Sequence, residues 1–525
     1  MSEPTVKSGL RGPVGVRGRR SRALLLAAVA ACAACGLIYE LVLLTLSVSL
    51  TGGGITQTSL IVTGYVAALG VGALLVKPFL AHAATTFVAV EILLGIIGGL
   101  SAVTLYVAFS FYGTSASVLV AATAVLGILV GAEVPLLMTL LQSGRGGVDA
   151  RSVGKVLANL NAADYAGALL GGLAWPFVLL PLAGQVRGAA LTGMVNLVAA
   201  AVVAAFLLRW QMSRAARHGA TAALLAAAAV LGVLIVRSAD IEVTARQRLY
   251  ADPIVAAEQS DYQQIVVTER DGDIRLYLDG DLQFSSLDEH RYTETLVHPA
   301  LARDPARVLI LGGGDGLATR DVLRHPSVRE VVQVELDPAV IELANTRLAG
   351  LNDGALRDPR VDVVVDDAFR WLRERPAQGF DTIIVDLPDP DTPALGRLYS
   401  IEFYGLVAGS LNPDGFVVVQ SGSPYSTPTA YWRTVSTVAS TGLSVTPYHV
   451  HVPSFGDWGF VLAQAGQAPP ELRISPSAPE LRFLNGAMLA AAAVFPLDRS
   501  PQQLAPSTLD QPRIVQDMRQ GYAGR

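Results

Sequence analysis

Arg307-Val308-Leu309-Ile310-Leu311-Gly312-Gly313-Gly314-Asp315-Gly316 decides the fold: an apolar run of strand length breaks into a glycine-rich turn with an acid at its tip. Working outward, three more runs of the same kind, 330–334, 361–365 and 381–385, also end in acids. Their tips are Val334-Glu335-Leu336-Asp337, Asp366-Asp367-Ala368 and Asp386-Leu387-Pro388-Asp389-Pro390. Ligands of open α/β sheets bind at the carboxyl ends of the strands, so four acidic tips describe one pocket. Its guests are a nucleoside and a cation.

Upstream, the pattern changes from buried runs to alternation. Residues 263–269, 274–278 and 282–284, punctuated by Asp271-Gly272 and Asp279-Gly280, read as a three-stranded meander. A polar helix over 288–302 leads from it into the doubly wound sheet. The soluble half is therefore α/β: a small antiparallel β domain followed by a Rossmann-like, methyltransferase-type sheet. Downstream, 484–495 is too short to cross a bilayer and reads as a packing helix.

Composition explains the other half of the chain. At 525 residues, 51% hydrophobic and a mean hydropathy of +0.44, the chain is too apolar for an ordinary soluble enzyme and too long for one domain. The excess lies between residues 23 and 236, where apolar runs of roughly 20 residues recur, the length that crosses a bilayer core. About seven spans are expected: 23–50, 59–76, 86–109, 115–141, 166–182, 189–208 and 220–236. The net charge of −5 and a pI near 5.9 leave no basic stripe for phosphates, which excludes a nucleic-acid partner. Both cysteines, Cys32 and Cys35, fall in the first span, so the soluble half has no thiol chemistry.

Arg17, Arg19, Arg20 and Arg22 precede the first span; Arg145, Arg151 and Lys155 follow the fourth, and Arg209, Arg214 and Arg217 the sixth. The positive-inside rule puts all three groups in the cytoplasm. An odd number of spans then carries the soluble half outward, whereas its small-metabolite chemistry is expected in the cytoplasm. Either one span is over-counted, with the polar 157–165 entry to the fifth as the weak point, or the catalytic half lies outside. Arg19-Arg20-Ser21-Arg22 also resembles a signal start, yet the apolar run continues past Cys32 into further spans and reads as an uncleaved helix. Glu40, Glu91, Glu133 and Asp164 lie in or beside spans. An intramembrane carboxylate is costly, so these four either mark a solute or proton path or are neutral groups that lock the bundle.

Tyr262-Gln263, Leu278-Asp279-Gly280, Gln283, Asp288-Glu289, Tyr292, Glu294, the glycine loop, Glu335, Asp367 and Asp386 to Pro390 together resemble the spermidine synthases, or polyamine aminopropyltransferases, over about residues 260–460. The chain is similar to the bacterial members with an N-terminal membrane domain. The resemblance implies aminopropyl transfer from decarboxylated S-adenosylmethionine to a diamine, usually putrescine, giving spermidine and methylthioadenosine. The donor is a co-substrate; no cofactor and no metal are implied. Dimers or tetramers are common in the family, with the β domain as the contact.

By that resemblance Asp386 is the general base, and Asp389 holds the amine together with Tyr292, Thr293, Leu387 and Pro388. Asp315 repels the carboxylate of ordinary S-adenosylmethionine and attracts the donor's ammonium. Gln263, Gly312, Gly314, Glu335, Asp367, Ala368 and Pro393 cradle the nucleoside, Glu335 through the ribose hydroxyls and Asp367 through the adenine amine. Tyr399 joins Tyr292 along the channel, where aromatic faces suit methylenes and cations. A carboxylate near 3.9 and an alkylammonium near 10.4 differ by about 6.5 units, or about 9 kcal/mol, so closure of the loop 388–397 must raise Asp386 by desolvation. Thr293 stands where many members carry His, which loosens the expectation of putrescine as acceptor.

The domains expected are an unstructured basic arm over 1–22, a membrane domain over 23–236, a linker and β domain over 237–303, a Rossmann-like domain over 304–500 and a tail over 501–525. A membrane-tethered enzyme, whose partners are the diamine, the donor and the lipid bilayer, is the leading function. A transporter or sensor that binds polyamine or nucleoside without turnover is the alternative, and retention of both Asp386 and Asp389 weighs against it. A methyltransferase is disfavoured by Asp315 and by the lack of an Asn-Pro-Pro-Tyr-type fourth motif.

Overall fold

The computed structural model describes residues 19–51, 55–112, 116–142, 150–375 and 379–523, in two compact units, Met1–Ala251 and Asp252–Arg525. Most of the basic arm (1–18) and Arg145 lie outside the described residues. The first helix already runs at Arg19, so residues 19–22 of that arm are helical rather than unstructured.

The first unit is all helix. Among the described residues six helices are long and apolar enough to cross a membrane: Ala23–Val48, Thr58–Leu75, Lys77–Ser110, Ser117–Leu140, Leu157–Leu208 and Arg214–Ser238. Of the seven expected spans, the fifth and sixth are not separated by a loop. These share the one apolar helical stretch Leu157–Leu208, because no polar loop parts them; its single non-helical residue is Gly184 (φ 71°, ψ −175°). Outward faces carry Leu169, Phe177, Leu182 and Phe206, each more than 60% exposed, which a water-facing bundle would not tolerate in such number. Inside, backbones approach closely: a Cβ on Gly131 would fall 2.1 Å from Leu69 O. Glu91 and Glu133 are buried, and Asn196 Nδ2 donates to the Glu91 carbonyl at 2.8 Å. The last helix, Arg214–Leu249, continues thirteen residues beyond 236, so what reads as a linker start is helical.

The second unit holds two sheets. β1 (Ile254–Gln259), β2 (Gln264–Arg270), β3 (Asp273–Leu278) and β4 (Asp281–Ser285) form an antiparallel sheet in sequential order. β1 extends the expected meander by one edge strand. Asp271-Gly272 and Asp279-Gly280 turn its hairpins with positive φ at both residues, the geometry that these dipeptides favour. A four-stranded sheet cannot bury its own apolar face. Ile265, Val267, Leu276 and Phe284 instead share a core with Leu317, Val340 and Leu348 of the larger layer, within one compact unit.

The large sheet comprises β5 (Arg307–Gly312), β6 (Glu330–Glu335), β7 (Val361–Val365), β8 (Phe380–Asp386), β9 (Leu411–Gln420), β10 (Ser444–Val452) and β11 (Gly456–Gln464), in the order β10-β11-β9-β8-β5-β6-β7. The first five strands are parallel, while the β10–β11 hairpin joins β9 antiparallel, so the sheet is mixed. Val308 to Leu311 and Ile383 to Val385 are fully buried, as central strands covered on both faces must be. Strand order reverses between β5 and β8, where Gly312 pairs in register with Asp386. That switch point opens the crevice in which such sheets bind ligands.

Candidate active site

The glycine loop is shaped by what it faces. Gly312 (φ 83°) lies so close to the strand beside it that a Cβ would meet Asp386 O at 2.1 Å, and Gly313 N–H donates to that carbonyl at 3.0 Å. A Cβ on Gly314 would fall 2.6 Å from Glu335 Oε2. Gln333 Nε2 donates to Gly312 O (3.1 Å) and Gly313 O (2.6 Å) from β6, fixing the turn from below. The loop therefore packs against Asp386 on one side and Glu335 on the other.

Each acid is then set by its own neighbours. Asp315 Oδ1 accepts from Leu317 N–H at 2.9 Å at the start of the next helix, while Asn352 Nδ2 holds its carbonyl at 2.8 Å. Burial foremost, helped by the charge of Glu289, raises Asp315 to about 6 against the Leu317 N–H and Arg320. Burial raises Glu335 to about 7 despite the Asp337 N–H on its Oε1. Asp386 is likewise raised to about 7 by burial and by Asp315, opposed by the Tyr292 phenol that donates to Oδ1 at 2.5 Å. Asp389 is raised to about 6, again by burial, against donors Tyr522 and Gln420. Four carboxylates with elevated proton affinity in one crevice make a site that gains by accepting positive charge.

The end of the crevice expected to take the nucleoside is cross-linked. Gln263 Nε2 and Ser260 Oγ donate to Asp337 Oδ2 at 3.0 and 2.6 Å, tying the small sheet to the β6 tip. Asp367 caps the helix Ala368–Glu374 through the Arg370 N–H, and its other oxygen pairs with Arg397. Pro393 opens the short helix Pro393–Gly396, capped by Thr392, so the segment after β8 is folded down toward the β7 tip by the Arg397–Asp367 pair.

Two expectations are revised. Thr293 Oγ1 donates back to Glu289 O and Oε2 inside the helix Glu289–Val297, so it buttresses the Glu289–Arg320 pair and meets neither Asp386 nor Asp389. Tyr399, expected along the channel, is buried beneath it; its hydroxyl donates to the carbonyls of Leu387 (3.1 Å) and Pro388 (3.0 Å) and receives Gln420 Nε2. Leu387 and Pro388 thereby hold the acidic loop by their carbonyls. Gln420 and Tyr522 are additions. A polar residue ending the apolar run of β9 was the available signal for Gln420; nothing local marks Tyr522. It belongs to the helix Arg513–Ala523, which replaces the expected tail and packs Ile514, Val515 and Met518 into the core beside Leu387.

A mixed Rossmann-like sheet whose switch point is lined by four acids of raised proton affinity fits the class of group-transfer enzymes. The family model for the spermine/spermidine synthase domain matches residues 289–474. The chain belongs to the polyamine aminopropyltransferases. It is 62% identical over 510 residues to the polyamine aminopropyltransferase of Mycobacterium tuberculosis (strain CDC 1551 / Oshkosh), covering 96% of this chain and 97% of that one. It is 58% identical to the protein of that name from Corynebacterium efficiens (98% and 99% covered) and 48% identical to polyamine aminopropyltransferase 1 of Streptomyces coelicolor (96% and 95%). A solved spermidine synthase in complex with the transition-state analogue AdoDATO aligns with 46% of this chain and 85% of its own, at 29% identity and a TM-score of 0.44.

Proposed function

We propose that this enzyme is anchored in a membrane by its helical unit and makes spermidine by aminopropyl transfer from decarboxylated S-adenosylmethionine to putrescine, with Asp386 as the base. The observation that carries the reading is the placement of Asp386: in register with Gly312 at the switch point, hydrogen-bonded to Tyr292 and raised to about 7. In the reaction the amine nitrogen bonds to the carbon next to the sulfonium as the C–S bond breaks. The electron pair passes to sulfur, which leaves neutral in methylthioadenosine, and the proton shed by nitrogen goes to Asp386.

The elevated Asp386 narrows the mismatch with an alkylammonium near 10.4 to about 3.4 units, or about 4.6 kcal/mol. The attacking nitrogen needs its lone pair, so the remainder is met before attack, as desolvation of the amine in the closed site lowers its proton affinity. Asp389 and Tyr292 hold the amine in line; Leu387 and Pro388 fix the loop that presents Asp389, and Thr293 acts through Glu289. Asp315 selects the donor's ammonium. Glu335 takes the ribose hydroxyls, with Gly312 and Gly314 giving the approach. Gln263, Asp367, Ala368 and Pro393 enclose the base, Asp367 exchanging Arg397 for the adenine amine as the donor enters.

In the membrane unit, 52 residues of helix would measure about 78 Å, more than twice a bilayer core of about 30 Å. The break at Gly184 divides this stretch into two crossings and brings the total to seven.

Methylthioadenosine release by the full chain in lipid, with decarboxylated S-adenosylmethionine and a diamine panel, tests the assignment. Asp386→Asn should lower turnover about a thousandfold while donor binding persists. Turnover in the variant close to that of the wild type would remove Asp386 from the role of base, and preference for a longer amine would remove putrescine.

A further inference from the structure

The helix Arg513–Ala523 is placed by contacts that do not involve Tyr522. Ile514, Val515 and Met518 are buried in the core that also holds Leu387 and Tyr399. Asp517 pairs with Arg433 of the helix Pro428–Ala439, and Arg519 Nε donates to Asp391 O at 2.7 Å. Gly521 lies so close to Thr427 that a Cβ would come within 2.6 Å of Thr427 Cγ2. With the helix fixed in this way, the phenol of Tyr522 arrives at Asp389 Oδ2 at 3.0 Å. Among the described residues, the donor on the other oxygen of Asp389 is Gln420 Nε2 at 3.5 Å, the outer limit of a hydrogen bond. Tyr522 is thus the closer of the two donors on this carboxylate.

We propose that Tyr522 is a positioning residue of the acceptor site: it orients Asp389 toward the amine, and the C-terminal helix forms the outer wall against which an aliphatic primary ammonium binds. The proposal rests on the reading of Asp389 as the amine-holding acid. A phenol suits the role because it donates to the carboxylate when the site is empty and its oxygen can accept from an N–H of an arriving ammonium. Tyr522 is 46% exposed, so the residue is within reach of an arriving cation or its methylenes. Tyr292 does for Asp386 what Tyr522 does for Asp389, so the two acids of the loop each carry one phenol, from helices more than 200 residues apart in the chain.

The test is steady-state kinetics of the full chain in lipid for wild type, Tyr522→Phe and Asp389→Asn, with donor and diamine varied separately. Phe keeps the ring and its packing and removes only the hydroxyl. The diamine KM of Tyr522→Phe should rise about tenfold, the loss of one hydrogen bond to a charged group, with kcat within about threefold and the donor KM unchanged. Its pH dependence should also move. The phenol holds Asp389 down against burial and Asp391, so without it the acidic rise in diamine KM shifts to higher pH. The other titratable groups facing this carboxylate, Asp281 from the small sheet and Tyr399 from beneath the loop, are the same in both proteins, as is Arg519 beside Asp391.

An unchanged diamine KM in Tyr522→Phe, beside a raised one in Asp389→Asn, overturns the proposal and leaves the acceptor site in place. An unchanged KM in both overturns the reading of Asp389 as well. A donor KM that rises as much as the diamine KM marks a general disturbance of the domain and also rejects the assignment.

Discussion

Tyr292 donates its phenol hydrogen to Asp386 Oδ1 at 2.5 Å, bringing a helix that precedes the large sheet onto the tip of its fourth strand. The bond stabilises the carboxylate, so it lowers the proton affinity that burial and Asp315 raise. Tyr292→Phe removes the lowering contribution alone. The base then titrates above about 7, and because it must be ionised to take a proton, the acidic limb of the kcat/KM profile moves to higher pH. The variant should lose about tenfold at pH 6 and much less at pH 8.5, in a methylthioadenosine-release assay across pH. A parallel loss at every pH would mean that Tyr292 acts through the amine alone and does not tune the base.

Asp315 sits at the first turn after the glycine loop with one oxygen on the Leu317 N–H and no ion-pair partner within 4 Å among the described residues. A carboxylate there disfavours a donor that carries its own carboxylate. Asp315→Asn keeps the hydrogen bond and removes the charge. Inhibition by ordinary S-adenosylmethionine should strengthen at least tenfold while the KM for the decarboxylated donor rises, so the ratio of the two affinities inverts its trend. Equal inhibition of wild type and variant would show that discrimination lies elsewhere in the crevice.

Arg151 and Lys155 precede the long apolar stretch, and Arg209, Arg214 and Arg217 follow it. If Gly184 divides that stretch into two crossings, both basic groups face the same side, as the positive-inside rule prefers. Reporters inserted at 146 and at 211 should therefore read the same compartment. Opposite compartments would reduce the bundle to six crossings and move Asp252–Arg525 to the other face of the membrane.

What was legible in the sequence was local. Each apolar run ending in an acid became a parallel strand whose tip reaches the crevice, because a buried strand needs little beyond its own residues and its turn to be recognised. Both Asp-Gly hairpins were legible for the same reason. β1 was not: Ile254-Val255-Ala256-Ala257 has no clear alternation, and it is a strand because β2 offers it an edge. The partners of the acids were equally out of reach. Gln420 meets Leu387 O across 33 residues and Tyr522 meets Asp389 across 133, and no periodicity encodes such a meeting. The helical break was legible: spans were expected over 166–182 and 189–208, and Gly184, followed by the polar Gln185 and Arg187, lies in the gap between them.

The crevice also makes stability depend on pH in an unusual direction. Asp315, Glu335, Asp386 and Asp389 titrate at about 6, 7, 7 and 6 when folded, chiefly because of burial, against about 4 in an unfolded chain. Between pH 4 and 7 the folded state thus holds protons that the unfolded state has released. Stability is fully present below pH 4 and is lost as pH rises through the folded values. Each unit of difference corresponds to about 1.4 kcal/mol for a single group, and mutual interaction keeps the combined effect to several kcal/mol. Asp273 and Asp381, held low by their donors, act in the reverse sense and only below pH 4. Thermal unfolding of the ligand-free soluble unit within the full chain should therefore occur at lower temperature at pH 8 than at pH 5.5. Glu335→Gln should flatten that slope, because an amide has no proton to lose, and saturating diamine should raise the pH 8 value most. A slope of the same size in Glu335→Gln and the wild type would place the pH sensitivity outside this crevice.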